Sequence, residues 1–146
     1  MGRLGFVFPG QGSQAVGMLA ELAAAFPLVG DTFAEASAVL GLDLWQLVQQ
    51  GPVEQLNLTH NTQPAMLAAG VAVWRVWEQQ GGARPAYLAG HSLGEYAALV
   101  AGGAIDFADA VCLVAERGRL MQAAVPEGAG AMAAILGLDD EQVRAA

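Results

Sequence analysis

The residues of this chain best suited to covalent chemistry lie in Gly90-His91-Ser92-Leu93-Gly94, where one glycine stands two positions before a serine and another two after it. In a sharp strand-to-helix turn this spacing lifts the serine hydroxyl clear of the backbone, above the ends of the strands, and the glycines leave room for the tight approach. The serine then sits at a helix N-terminus, whose partial positive charge and free N–H groups favour an anion. A hydroxyl held in this way forms and discharges esters, so the chemistry it suggests is acyl transfer with Ser92 as nucleophile. An ordinary Gly-rich turn with a capping serine shares the five-residue pattern. The context that separates the two is a strand before the turn and a helix after it, and the flanking sequence carries both.

A second Gly-rich loop, Pro9-Gly10-Gln11-Gly12-Ser13-Gln14, follows an apolar run at the start of the chain. If the strand before it runs parallel to the strand before Ser92, the loop emerges at the same edge of the sheet. It could then offer a backbone N–H to an oxyanion beside that of Leu93, the residue after the serine. The same loop contains a decoy, because Gly10-x-Gly12-x-x-Ala15 fits a dinucleotide fingerprint. That fingerprint requires a second strand ending in an acid about 20 residues on. Asp31 and Glu35 fall near that distance but sit in a helical pattern, so the dinucleotide reading is poor.

Arg117 is flanked at helical spacing by Leu113, Val114, Leu120 and Met121, all apolar, which projects it from a core-facing side. Arg119, with Ala115, Glu116, Gln122 and Ala123 around it, reads as solvated. An inward arginine needs an anionic partner. A structural carboxylate and a substrate carboxylate bound in bidentate fashion both satisfy that need, and spacing does not choose between them.

A serine nucleophile also needs a base. His91 adjoins Ser92, and neighbours in a sharp turn point apart, so a packing role suits it better. His60, in a polar stretch before a helix, reads as a surface residue, and Glu95 suits the positive end of the helix after Ser92. No metal-ligand spacing appears.

The elements that must position these residues follow from periodicity and punctuation. Leu4 to Phe8 is a buried strand ended by Pro9-Gly10. Helical patterns run from Val16 to Phe26, Thr32 to Leu40 and Asp43 to Gln50, and Pro52 starts another short helix. Thr62 caps a long helix with Pro64 in its first turn, running to Gln80 before Gly81-Gly82. Ala86 to Ala89 is the strand that enters the Ser92 turn, and a small-residue helix follows to Val100. Asp106 caps a helix from Phe107 to about Val125, closed by Pro126. After a joint at Gly128 and Gly130, Ala131 to Leu136 reads as a third strand, and Asp139 caps a last short helix.

The 146 residues are 55% hydrophobic and carry a net charge of −8. No uncharged apolar run approaches the ~18 residues of a membrane-spanning helix, and an acidic chain with six basic residues repels nucleic acid. So apolar a sequence suits an α/β core that expects more partner surface than the chain contains. A strand with no later partner and a helix of about two turns are marginal alone, so the chain is expected to be a fragment. The single cysteine, Cys112, forms no internal disulfide, and no signal-peptide pattern opens the chain, which suggests a cytoplasmic location.

Taken together, these motifs resemble one family. Phe6-Val7-Phe8-Pro9-Gly10-Gln11-Gly12-Ser13-Gln14, with Gly17-Met18 after it, is similar to the opening of malonyl-CoA:acyl carrier protein transacylases, and Gly90 to Tyr96 resembles their nucleophile turn. Thr62-Gln63-Pro64-Ala65 and Arg117-Gly118 match as well. The chain looks like the free-standing bacterial enzyme of fatty-acid biosynthesis, because the first strand begins right after Met1. The resemblance implies an α/β-hydrolase-like large subdomain with a parallel sheet, here residues 1–125, and the beginning of an inserted ferredoxin-like small subdomain, residues 126–146. It implies Ser92 as nucleophile, Gln11 and Leu93 N–H groups as oxyanion hole, and Arg117 as ligand of the malonyl carboxylate. The family's catalytic histidine and a later glutamine would lie beyond Ala146.

The implied reaction is ping-pong. Ser92 takes a malonyl group from coenzyme A and passes it to the phosphopantetheine thiol of acyl carrier protein. The expected partners are therefore malonyl-CoA and acyl carrier protein, with no cofactor, metal, nucleic acid or membrane, and a monomeric full-length protein. Two other functions compete: an esterase or thioesterase of the α/β-hydrolase class, and a non-catalytic acyl-binding remnant. Arg117 discriminates against the first, since a pocket for neutral acyl groups has no use for an inward cation. The missing base is the argument for the second.

Overall fold

The computed structural model describes residues 3–125 and 137–145. The described residues form an α/β arrangement in which helices pack on a small parallel sheet. Strand β1 (Gly5–Phe8) pairs with β2 (Tyr87–Gly90) in parallel register, from Gly5 opposite Tyr87 to Phe8 opposite Gly90. The two-residue period of a strand turns Phe6, Phe8 and Leu88 toward the helices and leaves Val7 78% exposed on the other face. Phe6 meets Trp74 edge-on, with ring centroids 5.3 Å apart.

The centre of the core is helix α5 (Thr59–Gln79), buried at nearly every residue from Asn61 to Val76. From Pro64 to Val73 it has no polar side chain on any face, and a helical stretch of that kind belongs inside a protein. Around it pack α2 (Leu28–Leu40), α6 (Leu93–Ala101) and α7 (Phe107–Ala124), and α7 makes the most extensive contact. Phe33 of α2 is fully buried and meets Trp45 of α3 (Leu44–Gln50) at a centroid distance of 4.9 Å. Burying a side chain of this size contributes about 1.5–3 kcal/mol. One polar brace ties α2, α5 and α7. Arg75 Nη1 donates to Glu35 Oε2 at 2.7 Å and to Thr32 Oγ1 at 3.2 Å, and its guanidinium carbon lies 4.7 Å from the Phe107 ring centroid.

Several boundaries differ from the sequence expectation, each for a local reason. The helix expected over Val16 to Phe26 forms only as α1 (Ala20–Ala25). Gly17 at φ 84° and Leu19 at φ 63° take left-handed conformations that no α-helix contains, and the Gly17 N–H donates to Val48 O of α3 instead. Helix α2 begins at Leu28 rather than Thr32, and α5 begins at Thr59 with Leu58 in the cap position, so Thr62 is not the cap and Pro64 sits beyond the first turn. Both threonines point the other way. Thr32 Oγ1 donates to Leu28 O at 2.8 Å, and Thr62 Oγ1 donates to Leu56 O at 2.6 Å and to Leu58 O at 3.2 Å. A hydroxyl engaged with a carbonyl four residues back belongs to a helix interior.

Other expectations hold. Asp43 caps α3 by accepting from the Gln46 N–H at 2.8 Å, and a short helix α4 (Val53–Leu56) follows Pro52. Asp106 stands in the cap position of α7, where its carbonyl accepts from the Ala110 N–H, though its side chain forms no cap bond. Asp139 caps α8 (Asp140–Ala145) as half of a reciprocal pair: its Oδ1 accepts from the Gln142 N–H while Gln142 Oε1 accepts from its own N–H. The joint at Gly128 and Gly130 and the strand expected over Ala131 to Leu136 lie outside the described residues. Among those described, no helix is long and apolar enough to cross a membrane.

Candidate active site

Ser92 sits between the end of β2 and the first residue of α6, as its glycine spacing requires. Its backbone is at φ 53° and ψ −108°, a region that a non-glycine residue occupies at a cost of order 1–3 kcal/mol. The surroundings enforce it. A Cβ on Gly90 would lie 2.0 Å from the Gly94 carbonyl carbon, and one on Gly94 would lie 2.2 Å from Phe8 O. The β1 exit is thus pressed against the first turn of α6. Parallel pairing brings the Gly10 loop to the same edge, where a Cβ on Gly10 would stand 2.8 Å from His91 O.

The N–H groups at this edge divide into two sets. Gly94 donates to His91 O at 2.9 Å and Glu95 to Ser92 O at 3.1 Å. Across the loop, Gly12 donates to Gln14 Oε1 at 2.8 Å and Ser13 to Gly10 O at 3.4 Å. The N–H groups of Gln11 and Leu93 have no protein acceptor among the described residues. Side chains pin the loop to the corner between α4 and α5: Gln11 Nε2 donates to Thr59 Oγ1 at 3.3 Å and Gln14 Nε2 to Asn57 Oδ1 at 2.9 Å.

Arg117 comes from α7 on the far side of the serine. Its Nη2 donates to Ser92 Oγ at 2.9 Å, its Nη1 donates to Gln63 Oε1 at 2.7 Å, and its guanidinium carbon lies 5.9 Å from the Tyr96 ring centroid. Among the described residues no carboxylate pairs with it. The inward projection expected of Arg117 is found, but only part of its apolar neighbourhood is core. Val114 is fully buried, whereas Leu113 and Leu120 are more than half exposed, so Arg117 lies at the border of the buried face. Gly118 sets how near α7 comes to α5, since a Cβ there would lie 2.7 Å from His60 Cα and 2.8 Å from Thr59 O.

Arg119 is solvated as expected and forms a two-pronged pair with Glu116 at 2.6 and 2.7 Å. This contact holds the Glu116 carboxyl below its usual range and raises the Arg119 guanidinium. His60 and His91 are both exposed, and neither bonds Ser92 among the described residues. Glu35, the acid that the dinucleotide decoy would need at a strand end, lies on α2 and pairs with Arg75. No metal-sized cluster of His, Cys, Asp or Glu occurs among the described residues. Sequence reasoning gave no role to Gln63 or Tyr96, which contact Arg117. The available signal was the Thr62-Gln63-Pro64-Ala65 segment, which matched the family but was given no role of its own.

The acyl transferase domain family matches residues 5–146. The malonyl CoA-acyl carrier protein transacylase of Escherichia coli (strain K12) is 68% identical over 143 residues, which is 98% of this chain and 46% of that protein. An acyl carrier protein S-malonyltransferase from Vibrio cholerae superposes with a TM-score of 0.90 at 66% identity, covering 96% of this chain and 46% of its own. A malonyl-transacylase solved in complex with its type II PKS acyl-carrier protein gives a TM-score of 0.92 at 65% identity, covering 97% and 46%. The chain therefore spans about half the length of these relatives. A match over nearly all its residues, on a fold that sets a strained serine against an arginine, places the chain in the acyl transferase domain family.

Proposed function

We propose that this chain carries the nucleophile and the acyl-binding groups of a malonyl-CoA:acyl carrier protein transacylase. The observation that carries the reading is Arg117, which bonds Ser92 Oγ and a neutral amide and has no carboxylate partner among the described residues. A guanidinium beside a nucleophile with its charge uncompensated is a receptor for an acyl group that bears its own carboxylate. The same feature disfavours an esterase for neutral acyl chains.

In the first half-reaction Ser92 Oγ attacks the thioester carbon of malonyl-CoA. A C–O bond forms, the hydroxyl proton passes to a base, and the carbonyl oxygen becomes an oxyanion that the Gln11 and Leu93 N–H groups are free to receive. Collapse breaks the C–S bond, coenzyme A leaves as the protonated thiol, and malonyl-Ser92 remains with its carboxylate on Arg117. In the second half-reaction the phosphopantetheine thiol of acyl carrier protein attacks that ester and Ser92 regains its proton. The relatives solved as malonyltransferases, one of them with its acyl carrier protein, support this pair of substrates. The base belongs to a histidine that the family resemblance puts beyond Ala146. Residues 1–125 form the α/β-hydrolase-like large subdomain and 126–146 open the ferredoxin-like small one, in a cytoplasmic enzyme that needs no cofactor.

Incubating the full-length gene product with malonyl-CoA and mapping the adduct by mass spectrometry tests the reading. The malonyl mass increment should fall on the peptide holding Ser92 and disappear on adding acyl carrier protein. An adduct on another residue, or acetyl-CoA loading as efficiently as malonyl-CoA, would overturn it.

A further inference from the structure

Gln63 is the largest fully buried polar side chain among the described residues. It lies on α5 and its side chain makes two hydrogen bonds, both with α7: its Oε1 accepts from Arg117 Nη1 at 2.7 Å, and its Nε2 lies 3.1 Å from Met121 Sδ. Because a guanidinium only donates, the amide must turn its oxygen to Arg117 and its NH2 group away. The Met121 sulfur, a weak acceptor, receives that group and completes the orientation. The bond also fixes the fork of Arg117, since Nη1 on Gln63 leaves Nη2 directed at Ser92 Oγ.

The usual partner of an inward arginine is a carboxylate. Glutamate would fill the same space as Gln63 and would hold Arg117 more strongly, but it would cancel the charge. The amide holds the guanidinium with a bond to a neutral acceptor and leaves its charge for another anion. We infer that Gln63 is a positioning and specificity-determining residue, which aims Arg117 at the acyl group on Ser92 and, by being neutral, reserves the cation for the substrate carboxylate. This rests on the reading of Arg117 given above.

The test compares Gln63→Glu and Gln63→Met with Arg117→Ala in the full-length gene product, measuring kcat and KM for malonyl-CoA and acetyl-CoA. Gln63→Glu should lower malonyl kcat/KM about 10- to 100-fold, the worth of one interaction with a charged group, mainly through KM. Acetyl transfer should change no more than about twofold, because acetyl makes no use of the free cation. Gln63→Met keeps the volume and loses the acceptor, so malonyl transfer should fall less than in the glutamate variant, with acetyl again spared. A merely structural glutamine would lower both substrates together in both variants, and that result would overturn the inference. If Arg117→Ala shifts the malonyl-to-acetyl ratio and neither Gln63 variant does, the role of Gln63 is wrong and that of Arg117 stands. If Arg117→Ala leaves the ratio unchanged, both fall.

Discussion

Replacing Gly118 by alanine tests whether the α5–α7 approach builds the site. In a helix interior this exchange ordinarily stabilises by about 0.8–1 kcal/mol, because glycine loses more backbone freedom on folding. Here the new methyl would stand 2.7 Å from His60 Cα and 2.8 Å from Thr59 O, both backbone atoms of α5. Neither can rotate aside as a side-chain tip would, so the helices must part by several tenths of an ångström. Overpacking of this kind costs about 1–3 kcal/mol, and contacts to backbone put it at the upper end. Against the propensity gain this leaves a net loss of about 2 kcal/mol, or roughly 3 °C in Tm for a protein about twice the length of this chain.

The control is Gly30→Ala on α2, where a Cβ meets nothing within 4 Å and Tm should hold or rise slightly. Thermal unfolding of the three full-length proteins gives the comparison. Arg117 neighbours Gly118, and its 2.7 Å bond to Gln63 spans the same two helices, so malonyl transfer should weaken more than acetyl transfer. A Gly118→Ala protein as stable as its parent, with an unchanged substrate ratio, would show that the close approach neither strains the fold nor aims Arg117.

Three further outcomes follow from the same geometry. Ser92→Gly should abolish acyl-enzyme formation yet raise stability by about 1 kcal/mol in denaturant unfolding, because glycine accepts φ 53° and ψ −108° without the strain a serine bears there. Arg117→Ala should cut malonyl transfer and leave, or improve, transfer of uncharged acyl groups in paired kinetic assays, and equal losses for malonyl and acetyl would refute the carboxylate role. Residues 1–146 purified alone should be poorly soluble and transfer malonyl about a hundred- to ten-thousand-fold more slowly than the full-length product, the usual worth of a general base. Comparable turnover would mean that His60 or His91 does the work.

How much the sequence reveals depends on how local each determinant is. The turn around Ser92 was legible because its cause is short-range: Gly90 and Gly94 are needed by atoms within a few residues or on the adjacent strand exit. The parallel pairing of β1 and β2 was only a condition in the sequence, implied by the family resemblance and not by the residues, because no pattern within either short strand records which way its neighbour runs. The starts of α2 and α5 were misplaced because a threonine looks the same whether its hydroxyl caps a helix or bonds a carbonyl four residues back. The left-handed backbone at Leu19 had no mark in its side chain. Arg117 was found through neighbours of which Leu113 and Leu120 prove to be exposed, so periodicity chose the right residue partly for the wrong reason. What periodicity lacks is the distance between helices. Gln63 lies 54 positions from Arg117, and no pattern along either helix says that they meet. They meet because Gly118 lets the backbones close, so the part of the site that selects an acyl group is written in a missing side chain on one helix and an uncharged one on the other.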